Sequence, residues 1–193
     1  MTKILKQLFF PILLAGFLLT GCTQEPTTPP AESTTQTQSA QESTQQPYIL
    51  TFEATTIDGE AISSEQFADS KLTMINAWAT YCNPCLSEMP DLGEIASEYD
   101  PADFQLWGII CDVDEAAKEA DIEEAKALID ETAAHYPHLL LNESLYTNLV
   151  SAISAVPTTF FFTQEGELLG YVQGSRAKET WTDLIDQLLS EME

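Results

Sequence analysis

Residues 76–90 read NAWATYCNPCLSEMP, and two cysteines in this stretch, Cys82 and Cys85, have the CxxC spacing. They stand between an apolar run, Leu72–Trp78, that predicts a buried strand and a pattern over Cys85–Glu98 that predicts a helix. The sequence therefore places a dithiol at the N-terminus of a helix. Backbone N–H groups and the positive end of the helix dipole favour the thiolate form there.

The CxxC spacing predicts different tasks for the two sulfurs. Cys82 would stand at the helix start, where solvent reaches it, and Cys85 about one turn inside. We therefore expect Cys82 to attack a disulfide of a partner protein and Cys85 to resolve the mixed disulfide, which leaves both oxidised. No cofactor beyond this redox-active Cys82–Cys85 disulfide is expected.

A CxxC pair can also be half of a zinc site. A closed zinc site needs a second pair of ligands, and the remaining candidates are His135, His138 and Cys111. Nothing in the sequence brings them to the CxxC turn, and we expect the two histidines to be solvated in a loop. We therefore expect no metal site, and we expect Cys111 to act as a small buried hydrophobe.

The charge balance narrows the choice of partners. Acidic residues outnumber basic ones 31 to 7, which gives a formal net charge of −24. Such a surface repels nucleic acid and anionic lipid headgroups, so neither is an expected ligand. The expected partners are proteins, and the folded domain is expected to be a monomer.

The N-terminal part divides into two segments of different composition. Residues 1–22 have a short basic start, an apolar run over Leu8–Leu19 and the ending LTGC, the layout of a secretory signal. That ending resembles the bacterial lipobox, in which Cys22 receives a diacylglycerol, although an uncleaved anchor or a core segment is the alternative. Residues 23–47 are rich in Thr, Gln, Ser and Pro, which predicts a disordered tether. The folded domain is expected over residues 48–193.

The rest of the chain alternates strand and helix patterns. A strand over Tyr48–Ala54 and, over Ala61–Phe67, a short strand that runs into a turn or helix are predicted to form a hairpin around the turn signal Asp58-Gly59. Later strands are expected at Leu72–Trp78, Phe104–Cys111, Leu139–Leu141, Thr158–Thr163 and Leu168–Gln173, and helices at Cys85–Glu98, Glu115–His135, Ser144–Ile153 and Lys178–Glu191. This order indicates an α/β fold with a mixed central sheet flanked by helices. It matches a thioredoxin-like fold with an N-terminal β-hairpin and an inserted helix.

Two further residues belong to the predicted site. If the bond before Pro157 is cis, the backbone at Val156 turns toward the CxxC and can pair with an extended client segment; a trans proline would only open an edge strand. Glu88 lies three residues after Cys85, on the same helix face. It would either be buried with a raised pKa and take the proton of Cys85, or be an exposed carboxylate favoured by the helix dipole.

The combination of these motifs is typical of one protein family. From roughly Tyr48 to the C-terminus, the chain resembles the TlpA/ResA-like branch of membrane-tethered, extracytoplasmic thioredoxin-fold thiol-disulfide oxidoreductases. The resemblance is carried by NAWATYCNPC at 76–85, Glu88-Met89-Pro90, Val156-Pro157-Thr158 and the turn at Glu165-Gly166. The sequence departs from the family at Tyr81, where Trp is usual, and at Ala77, where an aromatic residue is usual.

The resemblance implies roles for single residues. Cys82 is the nucleophile, Cys85 the resolving thiol, Glu88 a buried acid that modulates the pair, and the bond before Pro157 is cis. The residues expected to contact a client around the turn are Trp78, Tyr81, Asn83, Pro84, Val156 and Thr158. The implied protein is a lipoprotein, anchored to the cell membrane outside the cytoplasm through Cys22. It takes electrons from a membrane thiol protein and reduces disulfides in client proteins.

Other functions stay open. Asn83 and Pro84 help to set the reduction potential, and proteins of this fold span about 150 mV, so a disulfide oxidase or isomerase is an alternative. From another class, the chain could be a copper carrier or a non-catalytic surface-binding lipoprotein. Copper carriers of this fold usually have a CxxxC and a distal His, which differs from the CxxC at Cys82.

Overall fold

The computed structural model describes residues 47–192, and a five-stranded mixed sheet forms the centre of this part. The strands are β1 (Glu53–Thr55), β2 (Ala61–Ser63), β3 (Leu72–Trp78), β4 (Phe104–Asp114), β5 (His138–Leu141), β6 (Thr158–Thr163) and β7 (Leu168–Gln173). The helices are α1 (Asn83–Glu98), α2 (Glu119–Glu131), α3 (Glu143–Asn148) and α4 (Lys178–Glu191). The predicted signal peptide, its Cys22 and the predicted tether up to residue 46 lie outside the described residues.

The strands follow the order β5-β4-β3-β6-β7 across the sheet. The central strand β3 pairs in parallel with β4 and antiparallel with β6. Outside this trio, β5 is parallel to β4 and β7 is antiparallel to β6. Strands β1 and β2 form a separate antiparallel hairpin. The arrangement confirms the predicted thioredoxin-like fold with its N-terminal hairpin.

The central strand β3 is buried at every position. Because successive side chains of a strand point to opposite faces, its sequence LTMINAW supplies two cores. Met74 and Trp78 belong to the core that includes α1 and α4, while Ile75 and Ala77 belong to the core beneath the hairpin. A strand covered on both faces reads as a continuous apolar run, which is why β3 could be predicted.

The N-terminal strand is shorter than predicted. The chain does not run as one strand over Tyr48–Ala54, because Ile49 makes an isolated antiparallel bridge to Glu167 beside β7. Only Glu53–Thr55 then pairs with β2. The segment therefore connects the hairpin to the edge of the central sheet.

Two predicted helices also have different bounds. Helix α2 starts at Glu119, because Asp114 accepts the N–H of Ala116 and holds a turn after β4, and it ends before Ala133, whose φ of 52° is left-handed. The helix predicted over Ser144–Ile153 is interrupted at Leu149, where φ is −138° and ψ is −58°. It becomes α3 followed by a single 3-10 turn over Val150–Ala152.

One histidine was predicted wrongly. His135 is exposed as expected, but His138 lies in β5 and is 2% exposed. The indole Nε1 of Trp78 donates to its Nδ1 at 3.1 Å, and its Nε2 lies 2.9 Å from the carbonyl oxygen of Ala134. Burial lowers the pKa of His138 to about 4, so the imidazole is neutral at physiological pH. It anchors Trp78, the last residue of β3, beneath the CxxC turn.

Gly108 makes room for this contact, which leads to a test of the packing. Gly108 is the register partner of His138, and a Cβ added there would overlap the imidazole. We expect Gly108→Ala to lower the free energy of unfolding by about 1–3 kcal/mol, measured by urea denaturation. Gly170→Ala is the matched control, because a Cβ at Gly170 in β7 meets nothing within 4 Å. Equal stability of the two variants would contradict the tight fit at His138.

Candidate active site

The CxxC turn connects β3 to α1, and Cys82 is the N-cap residue of the helix. The helix starts at Asn83, two residues earlier than predicted, and Pro84 stands in its first turn, where a missing N–H costs nothing. The Sγ of Cys82 accepts the N–H of Cys85 at 3.3 Å. Cys82 and Cys85 are joined as a disulfide. The two sulfurs therefore lie at the positive end of a helix of 16 residues.

The two cysteines differ in exposure. Cys82 is 6% exposed and Cys85 is fully buried, at 0%. Of the two residues, Cys82 alone retains exposed surface, and this is the order that an attacking and a resolving thiol require. The arrangement is that of a thiol-disulfide exchange site.

The turn is fastened to the neighbouring strand by a contact that the sequence did not reveal. The carboxylate of Asp112, near the end of β4, accepts the backbone N–H of Thr80 at 3.1 Å and its hydroxyl at 2.6 Å. The sequence signal for this contact was that Asp112 is a polar residue directly after the apolar run Phe104–Cys111. The contact depends on the parallel pairing of β3 with β4, because this pairing places the end of β4 next to the turn that follows β3.

Pro157 lies beside the turn, because β3 and β6 are antiparallel and Ala77 is the register partner of Thr158. The peptide bond between Val156 and Pro157 is cis, which confirms that alternative. The carbonyl oxygen of Pro157 accepts the N–H of Gly174 at 2.8 Å. Within residues 47–192, the backbone N–H and carbonyl of Val156 have no hydrogen-bond partner. They are free to pair with an extended segment.

Glu88 is buried behind the disulfide, at 2% exposure, so the exposed alternative is excluded. Its Oε1 accepts the side-chain amide of Asn76 at 3.1 Å, and its Oε2 accepts the backbone N–H of Arg176 at 3.0 Å. Burial raises the pKa of Glu88, and these two donors and the indole of Trp181 work against that rise. The site therefore holds a carboxyl whose proton affinity is increased, one helical turn from Cys85.

Asn76 links this carboxyl to β6, the strand that follows Pro157. Its Nδ2 donates both to Glu88 and, at 3.0 Å, to the hydroxyl of Thr159 in β6. Neither Asn76 nor Arg176 was predicted as a site residue. Asn76 stood in the quoted motif and was a visible candidate, whereas Arg176 acts through its backbone and left no signal in its side chain.

The predicted client contacts fall into two groups. Tyr81 is 75% exposed, Asn83 and Pro84 are exposed, and Val156 is half-buried, so a client can reach all four. Trp78 and Thr158 are 0% and 1% exposed. For these two the prediction of direct contact is wrong, because Trp78 is packed in the core against His138 and the hydroxyl of Thr158 donates to the carbonyl of Ala155.

Cys111 lies within β4, which continues to Asp114, and it is half-buried. Burial and the neighbouring Asp112 raise the pKa of its thiol to about 12. The thiol is therefore protonated at neutral pH and is a poor nucleophile. Among residues 47–192, no group of three or more His, Cys, Asp or Glu side chains is arranged to hold a metal ion.

Comparison with known proteins shows to which family the chain belongs. A model of the AhpC/TSA family matches residues 47–169. The chain belongs to the AhpC/TSA family. This AhpC/TSA protein is similar to the thiol-disulfide oxidoreductase ResA of Oceanobacillus iheyensis, with 31% identity over 117 residues, which cover 58% of this chain and 56% of ResA.

Two solved structures are similar to this chain in fold. A thiol:disulfide interchange protein of the thioredoxin family from Chlorobium tepidum aligns with a TM-score of 0.61 and 22% identity, over 75% of this chain and 98% of that one. The exposed lipoprotein thioredoxin Etrx1 of Streptococcus pneumoniae aligns with a TM-score of 0.58 and 22% identity, over 71% and 98%. These likenesses show that the AhpC/TSA protein has a thioredoxin fold. None of the helices in its described part has the length and apolar character needed to cross a membrane.

The buried carboxyl predicts a pH-dependent stability. Because the pKa of Glu88 is raised in the folded protein, the folded state holds this proton more tightly than the unfolded chain does. The contribution of Glu88 to the free energy of unfolding therefore falls as the pH rises from the ordinary value of 4.5 through the raised one. The free energy of unfolding of the wild type minus that of Glu88→Gln should decrease over this window, as measured by urea denaturation of the oxidised protein.

A matched control is Glu179→Gln, which removes one negative charge from an exposed position in the first turn of α4. This variant measures how the loss of one exposed negative charge changes the free energy of unfolding. A wild-type minus Glu88→Gln difference that does not change with pH would contradict a buried, titrating Glu88.

Proposed function

We propose that this AhpC/TSA protein is a protein-disulfide reductase that acts outside the cytoplasm, as a monomer tethered to the membrane. The observation that carries the proposal is the disulfide between a slightly exposed Cys82 and a buried Cys85 at the start of α1. The similarity to ResA, which is named a thiol-disulfide oxidoreductase, supports the same reaction class.

The proposed reaction starts from the reduced dithiol. The Cys82 thiolate attacks one sulfur of the client disulfide, and the other client sulfur leaves as a thiolate. The Cys85 thiolate then attacks the sulfur of Cys82, which forms the Cys82–Cys85 disulfide and releases the second client thiol. Two electrons pass from the dithiol to the client, so a second dithiol must reduce the protein again. We propose a membrane thiol protein as that donor.

Glu88 and Val156 support the two steps in this proposal. The carboxylate of Glu88, whose proton affinity is raised by burial, takes the proton of Cys85 and so produces the second thiolate. The free N–H and carbonyl of Val156 hold the client segment as an added strand, which brings its sulfur to Cys82.

The membrane tether is the second part of the proposal. It rests on the lipobox-like ending LTGC at Cys22 and the polar composition of residues 23–47. The structural neighbour from Streptococcus pneumoniae is itself described as an exposed lipoprotein. A lipid on Cys22 would keep the domain at the membrane, within reach of a membrane electron donor.

Cysteine variants test the reaction. The purified, reduced protein should reduce a protein disulfide such as that of insulin, one for each dithiol. Cys82→Ser should abolish this activity, because the exposed nucleophile is lost, and Cys85→Ser should accumulate a mixed disulfide that mass spectrometry detects. Cys111→Ser is the matched control and should behave as the wild type. Activity that persists in Cys82→Ser would contradict the mechanism.

The lipid anchor is tested in cells. We expect the wild-type protein in the membrane fraction and Cys22→Ala outside it, because the variant has no thiol to carry the diacylglycerol. Cys111→Ala removes a different cysteine and should leave the fractionation unchanged. Retention of Cys22→Ala in the membrane fraction would overturn the proposed anchor.

A further inference from the structure

A groove lies on the face of the sheet away from α1, between strands β6 and β7 and the residues that follow α3. Its volume is about 360 Å³. Its apolar walls come from Tyr48, Ile153, Phe160, Leu168 and Tyr171. None of the described residues that line it carries a charge. This is unusual for the surface of a chain with a formal net charge of −24.

The groove is continuous with the segment that carries the cis proline. Ser154 and Thr158, on either side of Val156 and Pro157, both line it. The amide Nε2 of Gln173, at the end of β7, donates to the hydroxyl of Ser154 at 2.9 Å, and both residues line the groove. The groove therefore begins next to the free backbone of Val156.

Two aromatic side chains that line the groove are exposed to solvent. Tyr171 is 66% exposed and Tyr48 is 45% exposed, and both rings stand at its rim. Aromatic side chains bring large contact areas to binding sites at a low entropic cost, since they have few rotatable bonds. The absence of charge in the lining favours an uncharged occupant, because an ionised group would lose its hydration without gaining a partner.

We propose that the groove binds an apolar side chain of the client, located a short way along the chain from the client cysteine. This inference rests on the proposed function. It assigns substrate preference to a surface separate from the cysteines: clients with an aliphatic or aromatic residue at this distance react faster. The groove thus selects among disulfides that Cys82 could otherwise attack equally.

Short peptides test the proposal with the full chain, purified in a mild detergent and reduced. Each peptide contains one cysteine as a mixed disulfide with thionitrobenzoate. The Cys82 thiolate attacks the peptide sulfur, coloured thionitrobenzoate leaves, and Cys85 then releases the peptide thiol. Two peptides are compared at each flanking position, one with leucine and one with serine. At one position we expect the second-order rate constant of thionitrobenzoate release to be about tenfold larger for the leucine peptide.

Two variants change the groove in opposite ways. Tyr171→Ser removes a wall and Ala152→Trp fills the space, and both positions are exposed. Each should bring the leucine-to-serine ratio close to one. Tyr146→Ser is the control: Tyr146 is 54% exposed but does not line the groove, so the ratio should stay as in the wild type.

The outcomes separate this proposal from the proposed function. If the wild type releases thionitrobenzoate from neither peptide, the function itself fails. If it reacts with both at equal rates at every position, or if the groove variants keep the preference, the groove proposal is overturned. If a preference appears only after deletion of residues 23–46, the tether of this chain occupies the groove, which also overturns the client as its occupant.

Discussion

The antiparallel pairing of β3 with β6 is the constraint on which the site depends. Its register places Ala77 opposite Thr158, so the CxxC turn after β3 and the cis Pro157 before β6 meet at one end of the sheet. The same pairing places Asn76 opposite Thr159, and the Asn76 amide binds both Thr159 and the carboxylate of Glu88. One strand pair therefore positions the CxxC turn, the unpaired backbone of Val156 and the buried carboxyl of Glu88.

The polar groups behind the cysteines are what distinguish this core from a purely structural one. A buried carboxylate is costly unless hydrogen bonds replace its hydration, and Glu88 receives them from Asn76 and the backbone of Arg176. Deeper in the core, Trp78 is held by a neutral His138. Two buried side chains therefore lie beneath the CxxC turn. Glu88 can titrate, whereas Trp78 is held in place by His138 and supports the turn.

The structural features that depend on local sequence patterns could be predicted. The CxxC turn, the buried strand β3 and the helix after it follow from spacing and hydrophobicity, and the mixed sheet flanked by helices follows from the alternation of elements. Contacts between distant segments were not predictable: His138 looked like a loop residue until β5 paired with β4, and Arg176 binds Glu88 through its backbone. Trp78 was expected to touch clients, but it is the last residue of a strand that is buried on both faces, and its indole binds His138.

The direction of electron flow is the central claim, and the equilibrium reduction potential of the Cys82–Cys85 pair tests it most directly. We expect titration of the purified protein against glutathione or dithiothreitol buffers to give a potential near that of thioredoxin, about −270 mV, because a reductase must lose electrons readily to its clients. A potential near about −120 mV, as in the oxidant DsbA, would contradict the account and would make the protein a disulfide donor.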